Sequence, residues 1–193
     1  MKRIAILLIG LVTLTGLNPV YANKIDVVTT STMVTDMVKQ VGGNRVKVVG
    51  LMGPGVDPHL YKPASGDVVK LQRAKVIFYS GLMLEGRMSD LFFRMTRAGK
   101  KVYAVTESIP ENDRLEPPEF DGHWDPHIWG DPALWSKCIE TVVEGLSSTD
   151  PKGKEYYTKQ GIEVKKAYND VHKWGLKRIA ALPKEQRVLV TSH

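Results

Sequence analysis

The sequence predicts an α/β fold: a mainly parallel four-stranded sheet with helices on both faces, followed by one long helix. Three observations carry that prediction. From Asn23 onwards, short β-branched runs alternate with runs of helical period, the pattern of strand-helix-strand crossovers. A chain of 193 residues is long enough for one compact domain and short for two. Helical periodicity then runs from Asp150 to Leu182 with no break inside it.

Each element has a local reason. Lys24–Thr30 (KIDVVTT) reads as a buried strand, and Val34, Met37, Val38 and Val41 then recur at helical spacing until Gly42-Gly43 stops the helix. The second strand is RVKVVGLM, Arg45–Met52, which runs straight into a loop. Ser65 is placed to cap a helix whose apolar face is Val68, Val69, Leu71 and Ala74. Val76–Tyr79 is the third strand, Met83–Ala98 a helix, and Lys101–Val105 the fourth strand. Thr106–Trp129 is acidic, holds Pro110, Pro117 and Pro118, and lacks periodicity, so it is a long loop of the kind that is more often functional than accidental.

Asp131-Pro132 opens a further helix with a capping residue followed by proline, and Trp135, Ile139, Val142, Val143 and Leu146 form its apolar face. Cys138 lies on that face, which predicts a buried, inert thiol. Asp150-Pro151 repeats the start signal. Tyr157, Val164, Tyr168, Val171, Gly175 and Ile179 then line one stripe, while Glu155 with Lys159 and Asp170 with Lys173 support the outer side. Continuous to Leu182, this helix would be about 48 Å long. Pro183 ends it, and RVLVTSH is expected to begin a strand of a second lobe that the chain does not continue.

The N-terminus is read as a secretory signal over residues 1–22: a basic Met1-Lys2-Arg3, an apolar run from Ile4 to Leu17, and small residues around Val20-Tyr21-Ala22. The expected organisation is therefore signal 1–22, an α/β lobe 23–149, a rigid linker helix 150–183, and the start of a second lobe at 184–193. Cys138 is the one cysteine, so no internal disulfide forms and no lipid-attachment cysteine follows the signal. Without Lys2 and Arg3 the formal charge falls from +6 to +4, with lysines spread among acids rather than gathered in a basic stripe with aromatics, which argues against nucleic acid as a partner.

Two of the five histidines occupy the same frame, Asp57-Pro58-His59 and Asp125-Pro126-His127, and a third, His193, is the last residue. Neutral imidazole is the commonest nitrogen ligand for divalent transition metals. His59 follows the second strand, His127 closes the long loop and His193 ends the last β-rich run, so two of the three are placed at strand ends, where open α/β sheets bind ligands. Together they predict a metal site. Asp57 and Asp125 are read as shaping their turns or orienting an imidazole, rather than as ligands. His123 and His172 are assigned to solvent.

TTSTMVTDMVKQVGG, VGLMGPGVDPHLYKP, VIFYSGLMLEGRM, DPHIWGDP, and VLVTSH after a long helix together closely resemble the metal-binding receptors of zinc/manganese/iron ABC importers, the TroA-like solute-binding proteins. The resemblance spans essentially the whole mature chain. It implies two α/β lobes joined by one rigid helix, with small rearrangements on metal release. It also implies metal ligands at His59, His127 and His193, with a fourth, carboxylate ligand on the second lobe. A monomer in the periplasm or otherwise outside the cytoplasm, delivering metal to a membrane permease and its ATPase, is the implied activity. Three imidazoles and a carboxylate suit tetrahedral Zn²⁺, whereas Mn²⁺ favours more oxygen and more positions. A histidine at the third position leans towards zinc; the lack of histidine between Glu107 and Gly122, where zinc receptors of this kind carry a His-rich insertion, leans the other way. The cargo is zinc or manganese, with iron as a third candidate.

Two other classes compete with a binding protein: a secreted three-histidine metallohydrolase and a surface adhesin. A hydrolase needs a general base, and only Asp57 and Asp125 are in position to be one, with no HExxH frame. An adhesin leaves the paired Asp-Pro-His loops unexplained. There is no phosphate-binding GxxxxGK[ST] loop, no dinucleotide fingerprint and no Ser- or Cys-based triad, so no enzyme is expected.

Overall fold

The computed structural model describes residues 24–118 and 122–189. The secretory signal and His193 lie outside the described residues. Four strands, β1 (Ile25–Thr29), β2 (Val46–Gly50), β3 (Val76–Tyr79) and β4 (Lys101–Ala104), form one all-parallel sheet in the order β2-β1-β3-β4. The register sets Ile25 against Val46, Val27 against Val76, and Val76 against Lys101.

Successive side chains of the two central strands enter two separate cores. Val27, Val76 and Phe78 face one side, where they pack with Val34, Met37, Val142, Leu146 and Tyr157; Val28 and Ile77 face the other, with Leu71, Met88, Phe92 and Met95. Central parallel strands covered on both faces read as near-continuous runs of apolar and β-branched residues, as VVTT and VIFY do. The first face is covered by α1 (Thr32–Gly42), α4 (Pro132–Lys137), α5 (Ile139–Thr149) and α6 (Lys154–Ala180). The second is covered by α2 (Ser65–Arg73) and α3 (Ser89–Arg97).

The helix starts differ from the sequence reading in instructive ways. Ser65 is the first helical residue rather than the cap of α2, and Asp67 Oδ2 reaches back to accept the Ala64 backbone N–H at 3.0 Å. Val69, expected on the apolar face, is exposed. The helix expected from Met83 begins only at Ser89, because Leu82 and Met83 adopt left-handed backbone (φ 49° and 64°) and a single 3-10 turn, Gly86–Met88, comes first. Asp131 does cap α4, its Oδ1 accepting from Ala133 N at 2.8 Å ahead of Pro132. The helix is interrupted at Cys138, which is fully buried with its thiol pushed up to about 12 by desolvation.

Asp150 does more than open the long helix. Its Oδ2 accepts from Arg45 Nε at 3.0 Å, Arg45 Nη2 at 2.5 Å and Tyr157 Oη at 2.9 Å, locking α6 to the turn before β2. At 27 residues, α6 is about 40 Å long. Its expected stripe is covered only in part: Tyr157 and Val164 are buried and Tyr168 half-buried, while Val171 and Ile179 are 53% and 54% exposed. The contacts of the helix with α1, α4 and α5 reach as far as Tyr168 and Asn169, with His172 at the cap of α4 beyond them. Arg187–Leu189 do not form the expected strand, and Val188 and Leu189 are exposed. A parallel strand needs a hydrogen-bonding neighbour, and none lies beside them among the described residues.

Candidate metal centre

β2 and β4 are the two edge strands, about 14 Å apart across three strand spacings. The loops that follow them carry His59 and His127, so both must run inward across the carboxyl end of the sheet to meet. Between them lies the topological switch point, where the chain leaves β1 for β2 on one side and β3 on the other.

The two imidazoles do meet. His59 Nε2 and His127 Nε2 are 3.2 Å apart, with ring centroids at 5.3 Å and planes tilted by 58°. Two nitrogens on a tetrahedral zinc, each at about 2.0–2.1 Å from the metal, stand about 3.3 Å apart. The pair is therefore spaced as two ligands of one cation would be.

The repeated frame explains how each histidine is aimed. Proline has no N–H, so the first donor after each aspartate is the histidine backbone, and the aspartate closes a tight turn onto it. Asp57 Oδ1 accepts the His59 N–H at 2.9 Å, and Asp125 Oδ1 accepts the His127 N–H at the same distance. The two frames then diverge. Asp125 Oδ1 also takes His127 Nδ1 at 2.7 Å, which assigns the proton to Nδ1 and turns the Nε2 lone pair towards His59. Among the described residues Asp57 makes the backbone bond alone. Trp129 adds an edge contact to the His127 ring, centroids 5.2 Å apart. His59 is exposed and the His127 side chain 26% exposed, so the pair is open to solvent.

Of the three histidines predicted as ligands, the structure brings two together; His193 is not among the described residues, and among those no third His, Cys, Asp or Glu completes a metal-holding group. His123 is exposed, as expected. His172 is not left to solvent: its Nδ1 lies 3.0 Å from Asp131 Oδ1, tying α6 to the cap of α4 just beyond the His127 loop. Sequence reading missed that pair because its partners are brought together only by the packing of α6 on α4.

It also missed Glu85, which is 3% exposed. Its Oε1 accepts from Thr30 Oγ1 at 2.6 Å and from the Ser80 N–H at 2.9 Å, and its Oε2 from the Gly81 N–H at 3.3 Å. Burial pushes its carboxyl above the usual range, although these hydrogen bonds pull the other way. The available signal was a lone carboxylate directly after the apolar run Leu82-Met83-Leu84.

Residues 27–193 match the family described as zinc-uptake complex component A, periplasmic. The chain belongs to this family. The manganese-binding lipoprotein MntA of Bacillus subtilis is 39% identical over 170 residues, covering 88% of this chain and 55% of MntA. The zinc-binding protein TroA of Treponema pallidum is 37% identical over 199 residues, covering 100% of this chain and 64% of TroA. The solved structure of TroA superposes with a TM-score of 0.82 at 39% identity, over 89% of this chain and 61% of TroA. Fe(III)-bound YtgA of Chlamydia trachomatis superposes with a TM-score of 0.76 at 28% identity, over 88% of this chain and 59% of YtgA. The chain thus spans between half and two thirds of the length of each relative. The parallel four-stranded α/β fold read from the sequence is the fold of these neighbours.

Proposed function

We propose that this chain is the metal-capturing part of a receptor that works outside the cytoplasm, takes up one divalent transition metal ion and passes it to an ABC-type permease with its ATPase. The observation that carries the proposal is the pair of Nε2 atoms 3.2 Å apart, delivered by two identical Asp-Pro-His turns from opposite edges of the sheet. His59, His127 and His193 are the proposed protein ligands, with Asp57 and Asp125 holding two of them. The lobe 23–149 supplies one wall of the site, and the linker 150–183, built on α6, carries the chain on to the segment 184–193. The cargo is zinc or manganese, with iron third: relatives of similar identity are named for zinc and for manganese, and another is solved with Fe(III). The protein binds and releases; it is not an enzyme, and it acts as a monomer.

Calorimetric titration of the chain with Zn²⁺ and Mn²⁺, beside a His59→Ala/His127→Ala double variant, tests the proposal. One metal per chain, lost in the double variant, is the expected result. A folded chain that binds neither ion, or a double variant that binds like the parent, would sink it.

A further inference from the structure

We propose that Glu85 is a positioning residue for the metal pair: its buried carboxylate ties together the roots of the two loops that carry His59 and His127. The inference rests on the receptor reading above and names a part of the site outside the histidine turns.

Two chains of hydrogen bonds leave this one carboxylate. Along the first, Glu85 Oε1 holds the Thr30 hydroxyl at the end of β1, and the Thr30 carbonyl accepts the Met52 N–H at 3.0 Å, where the His59 loop departs from β2. Along the second, Glu85 takes the N–H groups of Ser80 and Gly81. The Ser80 carbonyl accepts both the Thr106 N–H at 3.2 Å and the Thr106 hydroxyl at 2.9 Å, where the long loop to His127 departs from β4. Thr30 N also donates to the Phe78 carbonyl at 3.2 Å, which closes the network across the switch point. In open α/β sheets this is where a bound ligand sits. Here the protein's own carboxylate occupies it.

The neighbouring backbone is shaped to put the carboxylate there. Leu82 and Met83 take left-handed conformations that cost non-glycine residues energy, and Gly81 has φ 96°. A Cβ on Gly81 would come 2.4 Å from Thr106 Oγ1, inside the same network. The turn folds the chain back so that Glu85 reaches under the loop roots. Strain of this kind persists only where surrounding contacts over-determine it, and the carboxylate supplies those contacts.

A site that needs two imidazoles at a fixed spacing loses affinity when the bases of their loops are free to move. The test measures zinc affinity of the intact chain by competition with a chelator, together with amide hydrogen exchange without metal, for the parent, Glu85→Ala, Glu85→Gln and Leu71→Ala. Leu71 lies in the core on the α2 and α3 face and serves as a control for stability alone. Glu85→Ala is expected to weaken zinc binding by about tenfold or more, the range for lost outer-shell support, and to unprotect the segments holding Met52 and Thr106. Glu85→Gln keeps an oxygen for Thr30 and Ser80 and turns an amide towards Gly81, so it should lose less. Leu71→Ala should lower the unfolding midpoint and leave affinity unchanged. A folded Glu85→Ala chain with parental affinity overturns the proposal, as does a Leu71→Ala chain that loses as much. If Glu85→Ala does not fold, Glu85→Gln decides: parental affinity with parental protection overturns it, and loss of both supports it. If the parent binds no metal, the receptor reading falls, and hydrogen exchange alone decides whether Glu85 ties the loops.

Discussion

The two Asp-Pro-His turns look interchangeable in sequence, yet their aspartates should not contribute equally to metal binding. Asp125 Oδ1 holds both the backbone N–H of His127 and its Nδ1, at 2.9 and 2.7 Å, whereas among the described residues Asp57 holds only the backbone N–H of His59. Removing the Asp125 carboxylate takes away the acceptor that fixes the proton on Nδ1 and makes Nε2 less basic. Loss of a carboxylate behind a ligating histidine typically lowers affinity by about 10- to 100-fold. That is about 1.4–2.7 kcal/mol. Removing Asp57 loses one solvent-exposed backbone hydrogen bond of a kind that Asp125→Ala loses as well, so the ring contact is what separates the two variants. Chelator competition with Zn²⁺ on Asp125→Ala, Asp57→Ala and Asp125→Asn measures the difference. Asn retains an acceptor for Nδ1–H without the charge, so it should fall between the parent and Asp125→Ala. Equal losses for the two alanine variants, or a larger one for Asp57, would show that the contact from Asp125 to the ring does not set the affinity.

The remaining predictions concern the scaffold. Asp150→Asn should destabilise the fold by about 1.5–3 kcal/mol, the range for hydrogen bonds to a charged group, read from urea midpoints. Burial pushes the Asp150 carboxyl up, but hydrogen bonds from Arg45 and Tyr157 outweigh it and hold the folded value below the unfolded one. Its contribution is therefore complete above about pH 3.9 and fades as pH falls through the folded value, so the variant and the parent should converge in stability in acid. A gap that persists there would show that packing, not charge, is lost. Leu71→Ala, at a fully buried position, should cost about 2–5 kcal/mol in the same assay; a smaller loss would mean that the α2 and α3 face collapses onto the vacancy. Cys138, buried and with its thiol pushed up to about 12, should resist a thiol reagent at neutral pH until the chain unfolds. Rapid labelling of the native chain would contradict that.

What the sequence made legible follows from how local each cause is. β1 and β3 could be read because burial on both faces leaves almost no freedom in residue choice. The Asp-Pro-His frames could be read because a proline removes the competing donor, so three consecutive residues dictate their own geometry. Causes that act across the chain were not legible. The start of α3 was misplaced because the left-handed turn at Leu82-Met83 is held by Thr30 and Ser80 gripping Glu85, and a carboxylate in a sequence is ordinarily read as solvated. His172 was misassigned because Asp131 reaches it only when α6 lies on α4. The outer stripe of α6 shows the opposite limit. Val171 and Ile179 have the spacing of core residues, yet they stand exposed, since periodicity records that a face is suited to cover and says nothing of what covers it. Val171 neighbours the last residue of α6 that bonds to the α4 cap, His172, and Ile179 lies two turns further on.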